Sequence, residues 1–203
     1  MKQVIVDYIP FSITPTQINE ALKENNGKLV VKGVLQRAEA KNQNGRVYPR
    51  EILVREAKKY DENFVKQNRA LGELDHPDSS VVNLQNVSHN VKDMHFEGDN
   101  LVGTVEILTT PSGNILKEFF QNGIKLGISS RGLGSVEMVR ESNGDTISKV
   151  GDDFELIAFD FVSNPSTHGA FLYPMNESVD KQGRTCGDYC RAEDIINHII
   201  RGE

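Results

Sequence analysis

A single strand-rich α+β domain with a short appendage is the fold class that the sequence predicts, and three observations carry it. The 203 residues suit one hydrophobic core, which ordinarily runs to about 100–200 residues. Hydrophobic residues are 37% and charged ones 26%, so the chain has apolar surface to bury and is neither disordered nor fibrous. Runs with strand character outnumber amphipathic helical stretches.

Taken in order, Val4-Ile5-Val6 reads as a short strand. Thr14 then caps a helix with Pro15 at its first position, Gln17 completing a capping box, and Ile18, Ala21 and Leu22 as the apolar stripe before Gly27 stops it. Residues 28–40, with Leu29-Val30-Val31 and Gly33-Val34-Leu35, form a strand that glycine kinks, and Asn42-Gln43-Asn44-Gly45 is a turn. The strongest helix covers Arg50 to Lys66, where Leu53, Ala57, Tyr60 and Phe64 share a face. Residues 81–108 make a hairpin turning at Gly98-Asp99-Asn100, and a second helix follows Pro111 and ends at Gly123. Strands are expected over Lys125–Ser130 and Ser135–Arg140, with Arg131-Gly132-Leu133-Gly134 between them as a connection. The near-continuous apolar run Phe154–Val162 suits a strand buried on both faces. After about Tyr173 the sequence becomes a linker, followed by a terminal helix bearing Ala192, Ile195, Ile196, Ile199 and Ile200. The organisation is therefore an N-terminal segment with a short helix (1–28), a body (29–173), and a linker with a helical tail (174–203).

Composition narrows the function classes. Lysine and arginine number 23 against 29 acidic residues, and a net charge of -6 repels a phosphate backbone, so nucleic acid is not expected as a partner. No apolar run reaches the roughly 18–20 residues of a membrane span, and Asp7 and Pro10 interrupt the N-terminus too early for a signal peptide. The two cysteines, Cys186 and Cys190, could close only a small local loop and have neither redox nor zinc spacing. No metal and no cofactor is expected.

Three separated segments carry candidate chemistry: Leu71-Gly72-Glu73-Leu74-Asp75-His76-Pro77, Ile128-Ser129-Ser130-Arg131-Gly132 and Ala158-Phe159-Asp160-Phe161. A hydroxyl nucleophile is scarcely ionised at neutral pH and needs a base and an orienting acid, and these segments contain all three. Strand alternation puts Ile124, Leu126 and Ile128 on one face and Ser129 on the other, beside Gly127, with Ser130 toward the core. Both serines would equally serve a strand end bonded to the next turn. Asp160 lies between Phe159 and Phe161 in the buried run, where a carboxylate needs a cation or backbone amides as partners. His76 precedes Pro77, which holds its backbone extended. His168, in a loop after Asn164-Pro165, is the rival base. His89 and His95 read as ordinary strand residues, and the histidines and acids lack the helical spacing of a zinc site. Arg131 and Gly132 follow the serines with a cation and a flexible backbone, both useful to a developing oxyanion.

At these residues the sequence resembles the prohead core serine proteases of large tailed bacteriophages. Gly33-Val34-Leu35-Gln36 with Asn42-Gln43-Asn44-Gly45-Arg46-Val47-Tyr48-Pro49 is similar to that family's strand and Asn-x-Arg-x-Tyr-Pro segment. The segment from Ala70 to Pro77 resembles its histidine motif, and that from Gly127 to Ser135 its serine motif, in the same order over about residues 29–170. Asp75 departs from the neutral residue expected beside that histidine.

The resemblance implies a fold like the herpesvirus assembly proteases, a single β-barrel-like sheet surrounded by helices. It implies Ser129 as nucleophile, His76 as base and Asp160 as third member, with Glu73, Asp75 and His168 as the alternatives, and Arg131 and Gly132 at the oxyanion. It further implies a serine endopeptidase that cuts phage scaffold and capsid proteins, and itself, after Glu in Leu/Ile-x-Glu sites inside the assembling prohead in the host cytoplasm. A homo-oligomeric or zymogen form is part of the same expectation. The competing readings are a non-catalytic capsid-assembly protein on the same fold and a metal-dependent hydrolase.

Overall fold

A computed structural model describes residues 3–11, 15–25, 27–42, 44–77, 79–140, 144, 146–163 and 172–174, and among these are three antiparallel or mixed sheets and three α-helices. The strand-rich α+β class is as the sequence predicts. Among the described residues the strands form three sheets and no closed barrel.

The first sheet places β7 (Leu126–Gly134) between β1 (Gln3–Phe11) and β10 (Glu155–Val162), antiparallel to both. The second has the order β11 (Leu172–Pro174), β2 (Leu29–Arg37), β6 (Asn100–Ile107), β5 (Val87–Glu97), β4 (Leu71–Glu73). The third joins β3 (Arg46–Val47), β9 (Thr146–Val150) and β8 (Val136–Arg140). The first two sheets pack together where β2 meets β1 and β7, and where β4 meets β10. Between them Ile5, Val31, Leu35, Ile128, Phe159 and Phe161 are almost wholly buried.

Two strand boundaries differ from the sequence reading for one reason. Val4–Val6 extends to nine residues because β1 has a complete partner in β7, from Gln3 opposite Gly134 to Phe11 opposite Leu126. Gln3–Phe11 thus supply an edge of the sheet that carries β7. The Arg131-Gly132-Leu133-Gly134 stretch, expected as a connection, is strand, since two neighbouring strands satisfy its backbone and its glycines admit Phe154. Local glycine content signals a turn, but long-range pairing overrides it.

Of the helices, α1 (Pro15–Glu24) seats Ile18 and Ala21 in the core. The Thr14 cap, the linker and helical tail, His168, Cys186 and Cys190 lie outside the described residues. Helix α2 (Arg50–Tyr60) widens into a π-helical turn over Asp61–Val65, close to the predicted end at Lys66, and packs on β10. Helix α3 (Pro111–Gln121) has Thr110 as its N-cap, the hydroxyl accepting from the Gly113 amide at 3.1 Å and donating to the Val87 carbonyl. Thr110→Ala removes both bonds and should lower stability by about 1 kcal/mol, read from the urea midpoint at unchanged m-value.

Candidate active site

The site lies where the first two sheets meet. On β7 the alternation expected from the sequence holds: Leu126 and Ile128 enter the core, and Ser129 and Arg131 face the other way. In the antiparallel register Ser129 stands directly opposite Asp160 of β10, two residues 31 apart in sequence on adjacent strands. A bulge between Leu156 and Ala158 resets the alternation of β10 ahead of Asp160.

His76 reaches this pair because its segment docks on the end of β10. Beyond β4, Leu74 forms a parallel bridge with Phe161, the Asp75 amide donates to the Phe161 carbonyl at 2.7 Å, and the Glu73 amide donates to Asp160 Oδ1 at 3.0 Å. Asp75 has φ 72°, a left-handed conformation that Asp tolerates better than most residues, and its Oδ1 accepts from the His76 amide at 2.9 Å. The family departure noted at this position therefore turns the chain. His76 Nε2 then lies 2.8 Å from Ser129 Oγ and Nδ1 lies 3.0 Å from Asp160 Oδ2. The second contact is at ion-pair distance without an aligned hydrogen bond, a looseness common in free enzymes. In the neutral ring the carboxylate favours the proton on Nδ1, leaving Nε2 to accept from the hydroxyl.

Ser129 and Asp160 have no exposed surface, whereas the His76 side chain is 18% exposed. Burial by itself would raise the pKa of Asp160. The His76 ring, the Arg131 guanidinium and the Glu73 amide outweigh it and hold the carboxyl below its ordinary value. Behind the site His89 is fully buried with Nε2 2.9 Å from the Phe159 carbonyl, and burial pushes its pKa down to about 4, so it is a neutral strut.

The sequence candidates separate in space. Ser129, His76 and Asp160 come together. Asp75 is exposed and bonds backbone, and Glu73 bonds Arg131 rather than His76. Arg131 and Gly132, expected at the oxyanion, have these surroundings: the guanidinium grips Asp160 through Nε at 2.8 Å to Oδ2 and Nη2 at 3.2 Å to Oδ1, on the acid side of the histidine. Gly132 lies within a ladder bonded on both sides, and a Cβ there would sit 2.3 Å from Phe154 Cε2, so its smallness serves packing. The signal for Arg131 was already in the alternation, because residues 129 and 131 share a face.

A buried polar group on the opposite face of β7 was missed. Asp7, opposite Ser130, accepts from the Tyr48 hydroxyl, from Asn44 Nδ2 at 2.9 Å and from Arg46 Nη1 at 3.3 Å, while Gln36 Nε2 donates to Ser130 Oγ at 2.7 Å. The Asn-x-Arg-x-Tyr-Pro segment is therefore a clamp on β1. Burial raises the pKa of Asp7 despite these partners.

With this geometry in place, the comparisons with known proteins agree on a family. Residues 4–180 match the family described as "Prohead core protein serine protease". The "Prohead core protein protease" of Enterobacteria phage T4 is 32% identical over 165 residues, 79% of this chain and 76% of that protein. The solved structure of the bacteriophage T4 capsid assembly protease has the same fold, with TM-score 0.68 and 24% identity over 81% of this chain and 99% of that one.

Proposed function

Because the chain belongs to the prohead core protein serine protease family, we propose that its peptidase works through Ser129 as nucleophile, His76 as general base and Asp160 as the orienting acid. The single observation that carries this reading is the unbroken run of contacts from Ser129 Oγ to His76 Nε2 at 2.8 Å and from His76 Nδ1 to Asp160 Oδ2 at 3.0 Å. His76 takes the hydroxyl proton as Oγ attacks a peptide carbonyl, and Asp160 stabilises the imidazolium so formed. The same proton passes to the leaving amine, and water then releases the acyl group by the reverse sequence. The Arg131 guanidinium is engaged by Asp160, Glu73 and the Ser79 carbonyl, so oxyanion binding is assigned to other donors.

The names of the relatives support phage scaffold and capsid proteins as substrates inside the assembling shell. Cleavage after Glu in Leu/Ile-x-Glu sites, and self-cleavage, belong to the same proposal. Of the four such tripeptides, Leu71-Gly72-Glu73 ends on a buried Glu and Leu116-Lys117-Glu118 starts on a buried Leu. Ile18-Asn19-Glu20 and Leu22-Lys23-Glu24 lie on α1, which must leave the core before its backbone enters an active site. A covered Ser129 fits an enzyme whose activity waits for assembly. The likeness to herpesvirus assembly proteases is part of this reading, supported by the strand-rich architecture and by a serine and a histidine in contact beside it.

The test mixes the purified protein with scaffold and capsid proteins of its phage and identifies products by mass spectrometry, with and without a chelator. Products ending in Leu/Ile-x-Glu, formed equally in chelator, are expected. Loss of cleavage in chelator would favour the metal hydrolase, and products ending elsewhere would overturn the specificity.

A further inference from the structure

The contacts behind the acid extend further than a three-residue relay requires. Arg131, Glu73 and Asp160 are all wholly buried. Arg131 Nη2, besides its bond to Asp160, donates to Glu73 Oε1 at 3.0 Å, and Nη1 donates to the Ser79 carbonyl at 2.6 Å. Glu73 Oε1 also accepts from the Asn83 amide at 3.0 Å, but Glu73 Oε2 has no hydrogen-bond partner among the described residues. A guanidinium and one carboxylate would have made a neutral, complete pair. A second buried carboxylate with one oxygen unsatisfied costs stability, so packing alone gives no reason for it.

We propose that Arg131 and Glu73 are positioning residues for the reaction, Arg131 aiming the Asp160 carboxylate by its two-point grip and Glu73 restoring the negative charge that Arg131 cancels. The proposal rests on the triad reading above. One guanidinium and two carboxylates leave one net negative charge facing His76, the charge needed where an imidazolium forms. Without Glu73, Asp160 would remain aimed but electrically offset by Arg131.

The other titratable groups around the cluster do not supply that charge. His89 of β5 is neutral, with its pKa lowered by burial to about 4, and Tyr60 of α2 is kept protonated by burial. Asp75 is exposed and turned to the His76 amide. Asp7 of β1, with Arg46, belongs to the opposite face of β7, where Asp7 stands across from Ser130.

The experiment measures kcat/KM against pH for a synthetic peptide containing a Leu-x-Glu site. The acid limb of that profile reports protonation of the free enzyme's base. Glu73→Gln is near-isosteric and removes one negative charge, which disfavours the imidazolium, so the limb should move to lower pH by about one unit while the plateau falls. Glu73→Asp should bring the limb back. Arg131→Lys keeps the charge and loses the two-point grip, so kcat should fall roughly tenfold with KM and the limb unchanged. An unshifted limb in Glu73→Gln, or an unchanged kcat in Arg131→Lys, overturns the proposal, and either variant decides alone if the other does not fold. Ser129→Ala is run alongside. If it still cleaves, the triad reading falls; if it is inactive and the limb stays in place, only the present proposal falls.

Discussion

Ser129→Ala is expected to lower peptide cleavage by at least about 10⁴-fold while the protein keeps its fold. Ser129 Oγ is the atom 2.8 Å from His76 Nε2, and alanine offers nothing for that nitrogen to deprotonate. The loss should appear wholly in kcat, because the substrate-binding surface is untouched. The structural cost is one hydrogen bond, about 1 kcal/mol, since β7 keeps its pairing with β1 and β10 on either side. Mass spectrometry of scaffold and capsid digests, with circular dichroism of the variant, separates lost chemistry from lost fold. Unchanged cleavage by a folded variant would sink the serine mechanism. If wild type and variant were both inactive on every shell protein, the non-catalytic assembly reading would stand in its place.

The second large effect is on stability. At Gly72 of β4 an added Cβ would stand 2.0 Å from the Phe159 carbonyl oxygen and 2.2 Å from His89 Nε2. The first of these is backbone of β10, and His89 is itself buried and bonded to the same carbonyl, so neither can yield locally. Gly72→Ala should therefore cost about 3 kcal/mol or more and part β4 from β10. Activity should fall with it, because the next residues of the two strands, Glu73 and Asp160, are joined by the hydrogen bond from the Glu73 amide to Asp160 Oδ1 that helps place the acid. Gly134→Ala is the control, since its Cβ meets Phe154 atoms at 3.0 to 3.4 Å and should cost less. Thermal midpoints of the two variants check the order, and equal midpoints would show that β4 is not tightly set against β10.

Much of this arrangement was legible locally. The alternation of Ile128 and Ser129 put one in the core and the other toward the site, and Asp160 between two phenylalanines demanded a partner. Pro77 after His76 and the order of the three motifs pointed to the same constellation. What could not be read was which charges would meet. Glu73 and Asp160 are 87 positions apart and Arg131 and Glu73 58, so no spacing rule connects them. A cation two residues after a serine suggests an oxyanion role, and its bonds to Asp160 could not be read from that spacing. The glycines at 132 and 134 suggested a turn until β1 and β10 were seen on both sides.

By itself, then, the sequence determined the strand-rich class, the helices over residues 50–65 and 111–121, and the alternation that sets Ser129 on the face away from Ile128. These follow from side-chain periodicity and capping, which act over a few residues. Only the tertiary structure decided that the described strands are distributed over three sheets, that β1 completes the sheet carrying the serine, and that Arg131 and Glu73 stand behind Asp160. Those outcomes depend on strand pairing and on buried charges finding partners, which is settled by distance in space rather than along the chain.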